Sequence, residues 1–191
     1  MNMLCIGNCR VALRCRLPAA LFAVLYLLSP AAQASDGTIT VTGQVTASTC
    51  AISLDAGAAN TTVLLPTVST SALPAVGSVA GATPLTFSYS GCSSGLTSAT
   101  VYFEASGTQD FNTGCLTNTA TTGASNVEAC VTKLDGTLAF LGKPSGSQGV
   151  PAAALTGGAG SQTFLVSYYA PKGAATAGAF SSQLTYSVVY Q

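Results

Sequence analysis

Apolar and polar positions alternate most cleanly at the two ends of this 191-residue chain. Near the C-terminal end, Phe180, Ser182, Leu184, Tyr186, Val188 and Tyr190 fall on one face, and Ser181, Gln183, Thr185, Ser187, Val189 and Gln191 on the other. A period of two with one large apolar face predicts a strand over 180–190. It runs to the last residue, so no following strand is expected beside it. A bare apolar edge of that kind is a hazard in a monomer and an asset in a polymer. Towards the front, Gly37, Ile39, Val41, Gly43 and Val45 share one face, while Thr38, Thr40, Thr42 and Gln44 share the other. This second strand is expected to lie free of the domain body.

Between these ends the pattern predicts further short strands. Ala51–Leu54 extends past Cys50, Thr61–Leu65 is halted by Pro66, and Leu85, Phe87 and Tyr89 alternate into Cys92. Ala99–Ala105 follows across a turn region at Gly91–Ser98. Val127–Leu134 and Leu138–Leu141 flank Asp135-Gly136, a strong hairpin signal. Phe164–Tyr169 precedes a connection over 171–178. The stretches 70–83, 106–125 and 142–160 are rich in Gly, Ser, Thr and Ala and read as loops. Outside the first 34 residues no segment keeps helical spacing with caps. Short strands with regular turns predict an all-β antiparallel sandwich.

Residues 1–34 carry the pattern of a secretory signal. Arg10, Arg14 and Arg16 precede an apolar run from Leu17 to Pro30, and Ala32-Gln33-Ala34 fits the small-residue cleavage site. The run from Leu17 to Leu28 is short for a membrane span of roughly 20 residues. Cleavage after Ala34 would leave a 35–49 extension and a 50–191 body, with three Lys against six Asp and Glu and a net charge of −3. That charge provides no footprint for nucleic acid or anionic lipid. Cys5, Cys9 and Cys15 leave with the leader, and Cys50, Cys92, Cys115 and Cys130 remain. Three pairings are possible. Cys50–Cys92 with Cys115–Cys130 is favoured, because the others would bridge across a strand-rich region. The two loops so closed are worth about 4 and about 3 kcal/mol by the chain-entropy model. Export and paired cysteines together imply an oxidising compartment.

The sequence offers little for catalysis. With no His, the Ser-His and Cys-His arrangements are closed to it. Lys133, Lys143 and Lys172 stand in no S-x-x-K motif. Glu104, Asp110, Glu128 and Asp135 are scattered among loops and strands rather than set as a catalytic pair. Gly157-Gly-Ala-Gly160 lacks the Lys and the following helix of a phosphate loop. The clustered carboxylates of a calcium site are missing. Asn60-Thr61-Thr62 matches a glycosylation acceptor by pattern alone. The expectation is a protein that is not an enzyme and has no cofactor, no metal and no small-molecule substrate.

Taken together, the two end strands resemble those of the chaperone–usher fimbrial subunits, the type 1 fimbrial pilin family, across essentially the whole region after the leader. Thr38–Val45 resembles the family's N-terminal donor extension. Cys50 and Cys92 are spaced like its shared disulfide. Thr61–Leu65 resembles the short strand after the first cysteine. Gly178, fourteenth from the end, and the penultimate Tyr190 match its C-terminal signature. The resemblance implies an incomplete immunoglobulin-like β-sandwich of six main strands, the seventh supplied in trans. Gly37, Ile39, Val41, Gly43 and Val45 would form the donor strand. Gly178, Phe180, Leu184, Tyr186, Val188 and Tyr190 would form the acceptor groove and chaperone-recognition strand. The implied partners are a periplasmic chaperone, an outer-membrane usher and neighbouring subunits joined head to tail, on a route through the periplasm to the cell-surface fimbrium. Cys115 and Cys130 depart from the basic pattern and would staple a variable loop. The extension of about fifteen residues before Cys50 resembles that of tip-adaptor subunits more than that of the rod subunit. The competing expectation is a monomeric, secreted carbohydrate-binding sandwich, which would have no strand to give or take.

Overall fold

The computed structural model describes residues 49–191. The leader and the strand predicted over 37–45 lie outside them. Nine strands follow in chain order: β1 (Ala51–Leu54), β2 (Val79–Ser90), β3 (Ser98–Phe103), β4 (Gln109–Asp110), β5 (Cys115–Thr117), β6 (Glu128–Lys133), β7 (Ala153–Ala154), β8 (Gly160–Tyr169) and β9 (Tyr186–Tyr190). They form two antiparallel sheets, ordered β1-β2-β8-β6-β5-β4 and β7-β3-β9. The only helical element among the described residues is one 3-10 turn, Thr70–Ala72. This is an incomplete immunoglobulin-like sandwich.

The core is built from alternating positions of three strands, and in β2 they are the Leu85, Phe87 and Tyr89 expected from the sequence. Leu85, Phe87 and Tyr89 of β2, Ala99, Val101 and Phe103 of β3, and Phe164 and Val166 of β8 are all buried. Phe87, Phe103 and Phe164 come from three strands and meet edge-to-face, with centroids 5.3–6.2 Å apart. Such pairs add about 0.5–1.5 kcal/mol each beyond the area they bury. Pro84 is tolerated inside β2 because β1 reaches only Phe87–Ser90, leaving β8 as the sole neighbour there.

The expectations need correcting in four places. Thr61–Leu65 is not a strand, since its backbone joins no ladder. Leu138–Leu141 is not one either. The Asp135-Gly136 turn does form, with Gly136 at φ 81° and the Lys133 amide bonded to the Thr137 carbonyl, but pairing stops at a single Thr132–Leu138 bridge. The strand predicted over 180–190 pairs only from Tyr186 onwards. Finally, β2 and β3 belong to different sheets, so the Gly91–Thr97 connection passes between layers rather than closing a hairpin. Conversely, β4, β5 and β7 arise inside predicted loops. They are two or three residues long, too short to carry a periodicity, and owe their order to tertiary partners.

Both favoured disulfides are present, Cys50–Cys92 and Cys115–Cys130. The first ties the start of β1 to the end of β2. The second joins β5 to β6 one position along from the Leu116–Ala129 pair.

Candidate functional site

β9 is an edge strand: among the described residues, β3 lies along one side and nothing lies along the other. Its phase follows from the hydrogen bonds that flank the ladder. The Glu104 amide donates to the Thr185 carbonyl at 2.8 Å, and Ser98 and Gln191 exchange bonds of 2.9 and 3.0 Å. Odd-numbered residues therefore face their amides and carbonyls towards β3. Leu184, Tyr186, Val188 and Tyr190 turn theirs to the free side. The same even-numbered residues point their side chains inward. One row of unpaired backbone groups and one row of apolar side chains thus run along a single edge.

Burial shows what is missing. From Phe180 to Tyr190 the even positions are half-buried, while most odd ones are exposed. The inward residues of β2, β3 and β8 are almost completely shielded; Phe103 and Phe164 are 0 % exposed. Phe180, Leu184, Tyr186, Val188 and Tyr190 all pack against the core but are only partly buried, with no strand along their free flank among the described residues. Beside them opens a groove of about 1010 Å³. Its apolar surface comes from the inward side chains of the larger sheet, including Leu54, Leu85, Val131 and Val166. Residues 59–65 and 180–188 complete the lining. Val63 and Leu65 pack partly into the core, and the Tyr186 hydroxyl donates to the Ala59 carbonyl at 2.7 Å, linking these two stretches. No lining residue is Asp, Glu, Lys or Arg.

The stretch before β9 is held by scattered side-chain and backbone hydrogen bonds instead of a ladder. The Thr108 hydroxyl donates to the Gln183 carbonyl at 2.7 Å, and the Thr119 amide and hydroxyl both donate to the Ser181 carbonyl. Asn118 Nδ2 donates to the Ala179 carbonyl, and its Oδ1 accepts from the Ser181 amide. Gly178 has a steric reason for its place: an added Cβ would fall on the Ala124 amide and 2.6 Å from the Gly123 carbonyl carbon. The two backbones run in contact there, and the Ala124 amide donates to the Ala179 carbonyl at 2.9 Å. Asn118, Thr108 and Thr119 escape a sequence reading because polar loop residues carry no periodic signal.

Of the predicted acceptor residues, Phe180, Leu184, Tyr186 and Val188 line the groove. Gly178 anchors the segment from outside it. Tyr190 sits past the groove's end, across from Ala99. The donor residues Gly37, Ile39, Val41, Gly43 and Val45 lie outside the described residues. Two buried hydroxyls, Ser182 Oγ in the groove lining and Tyr89 Oη, have no hydrogen-bond partner among the described residues. Burial pushes the Tyr89 phenol well above its ordinary range, with Tyr190 and Tyr186 adding to the effect.

The carboxylates and lysines lie outside the groove. Glu128 is 5 % exposed and accepts from the Thr113 hydroxyl at 2.6 Å; burial raises its carboxyl above the ordinary range, Asp110 adding to the rise. Asp110 itself is held low by the Asn112 amide. Among the described residues no group of three or more His, Cys, Asp or Glu could hold a metal ion. The groove is an uncharged trough with apolar side chains of the larger sheet along its floor and unpaired backbone at its border, and no carboxylate or ammonium group lines it among the described residues. What it matches is another β-strand.

Comparison with known proteins agrees with that geometry. Residues 65–191 match the family model for FimA, type-1 fimbrial protein, A. The chain is 39 % identical over 168 residues to the F17 fimbrial protein of Escherichia coli, covering 85 % of this chain and 92 % of that one. It is also 39 % identical over 176 residues to the major fimbrial subunit SMF-1 of Stenotrophomonas maltophilia, covering 84 % and 95 %. The crystal structure of the P pilus rod subunit PapA has a similar fold, with a TM-score of 0.53 at 20 % identity over 81 % of this chain and all of that one.

Proposed function

The chain belongs to the type-1 fimbrial protein family, and we propose that it is a structural pilus subunit built into its fibre by donor-strand exchange through the groove beside β9. The observation that carries this is the half-burial of Phe180, Leu184, Tyr186 and Val188 beside an unpaired backbone edge. Gly37–Val45 of a neighbouring copy is the occupant. It spans nine residues, as does the groove-lining stretch Phe180–Val188.

Ile39, Val41 and Val45 would bury their side chains against the groove, each gaining roughly 1.5–3 kcal/mol. Ladder bonds to Leu184, Tyr186 and Val188 would add about 1 kcal/mol each. Gly37 and Gly43 suit places where the two backbones approach closely. Because each subunit accepts at one surface and donates from another, the contact is heterologous and the chain of subunits grows without closing. Before assembly the same edge would be covered by a periplasmic chaperone strand, and an outer-membrane usher would exchange it on the way to the cell surface. The work of such a subunit is mechanical, supporting adhesion.

The test is reconstitution. The secreted chain is refolded with and without a synthetic Asp36–Ser48 peptide, and binding is followed by fluorescence anisotropy and urea unfolding. One peptide per chain and a large gain in stability are expected. A stable monomer indifferent to the peptide would refute the reading and favour a self-sufficient binding module.

A further inference from the structure

The three-stranded sheet has a second edge, along β3, and it is closed in an unusual way. In register with β9, Ala99, Val101 and Phe103 stand opposite Tyr190, Val188 and Tyr186. The phase set by Glu104 and Ser98 turns their amides and carbonyls away from β9. β7 meets only Ser98 and Ala99 on that far side. Val101 and Phe103 lie beyond its reach, and a bare Phe103 backbone would be a template for another strand.

One side chain takes that place. Gln148 is 3 % exposed. The Phe103 amide donates to its Oε1 at 2.9 Å, and its Nε2 donates to the Phe103 carbonyl at 2.6 Å. These are the two bonds that a facing strand residue would exchange, made here by a primary amide with the same planar donor–acceptor pair as a peptide group. The second Nε2 proton goes to the Lys143 carbonyl at 3.0 Å, and the Gln148 carbonyl accepts from the Phe140 amide at 2.9 Å. Pro151, next along towards β7, has no amide to offer, and its carbonyl is held by Gln162 Nε2 at 2.6 Å.

We propose that Gln148 seals the Phe103 end of the far edge of β3 and so confines strand addition to the β9 edge. A subunit with two receptive edges could add strands on both sides of one sheet and branch; with one, it joins its neighbours in single file. The inference rests on the proposed groove. It adds a residue that determines where an incoming strand docks without touching that strand.

Glutamine is suited to this role by its chemistry. Met matches its length but can neither donate nor accept comparably, and Glu would set a carboxylate against the Phe103 carbonyl. The experiment uses the secreted chain with its groove saturated by the Asp36–Ser48 peptide, wild type against Gln148→Met. Sedimentation should find the wild type monomeric with one peptide bound. The variant should bind its peptide equally well yet self-associate at a concentration at least tenfold lower. A variant that binds peptide and stays monomeric over that range overturns the proposal and leaves the groove standing. A wild type that binds no peptide overturns both.

Hydrogen exchange on the wild type needs no variant and decides the matter should Gln148→Met not fold. The Phe103 amide should be protected equally with the groove empty or filled. Exchange there as fast as in an exposed loop overturns the seal.

Discussion

Val188 and Val189 are adjacent, share one strand and have opposite surroundings, which makes them a sharp pair to perturb. Val188 is half-buried, packs against the core and stands across from Val101, itself 1 % exposed; Val189 is 40 % exposed. Val188→Asp would forfeit about 1–2 kcal/mol of apolar burial. It would also bring a carboxylate into a groove without a single charged lining residue, costing at least about 2 kcal/mol more. Val189→Asp alters a solvent-facing position and should cost no more than about 1 kcal/mol, mostly through lower β-propensity. The gap of at least about 2 kcal/mol corresponds to roughly 30-fold in donor-peptide affinity. Fluorescence anisotropy with labelled Asp36–Ser48 peptide, alongside urea unfolding of the complex, measures both. Equal effects at the two positions would refute the assigned faces and, with them, the groove's position.

Replacing Ile39 and Val41 together by Asp should stop donation to a neighbour while leaving capture by a periplasmic chaperone intact; co-purification against fibre yield separates the two, and equal loss of both counts against donor-strand exchange. Gly178→Ala should loosen the segment before β9, since the added methyl meets backbone that cannot turn aside; overpacking of this kind typically costs about 1–3 kcal/mol, read as a lower urea midpoint. Glu128 gives a pH prediction of definite sign. Burial raises its folded-state value above that of the unfolded chain, so the stability it contributes is complete below the unfolded value and lost as pH rises through the raised one. Glu128→Gln should flatten that loss in urea titrations from acid to neutral pH, and an unchanged pH profile would sink the assignment.

Much of the fold was legible in the chain because alternation is a local property. Leu85, Phe87 and Tyr89 could be assigned to one face from their neighbours alone, and the structure buries all three. The cysteine pairing favoured among the three possible ones is the one the structure forms. The short strands did not, because Gln109–Asp110, Cys115–Thr117 and Ala153–Ala154 have no pattern of their own and exist only where a partner fixes them. Thr61–Leu65 erred the other way: its residues suit a strand, yet no ladder meets them.

For the candidate site the division is similar. Sequence determined that Phe180, Leu184, Tyr186 and Val188 share a face, because side-chain direction in an extended chain depends only on parity. The sequence led to the expectation of a bare neighbour position beside that face but not to which strands take its flanks, since those arrive from distant parts of the chain. The tertiary structure decided that β3 takes one flank of β9 and that no other described strand takes the opposite one. It also decided that Gln148 bonds the Phe103 backbone at the opposite edge, because hydrogen bonds between residues 45 apart are set by how the sheets stack and not by local spacing.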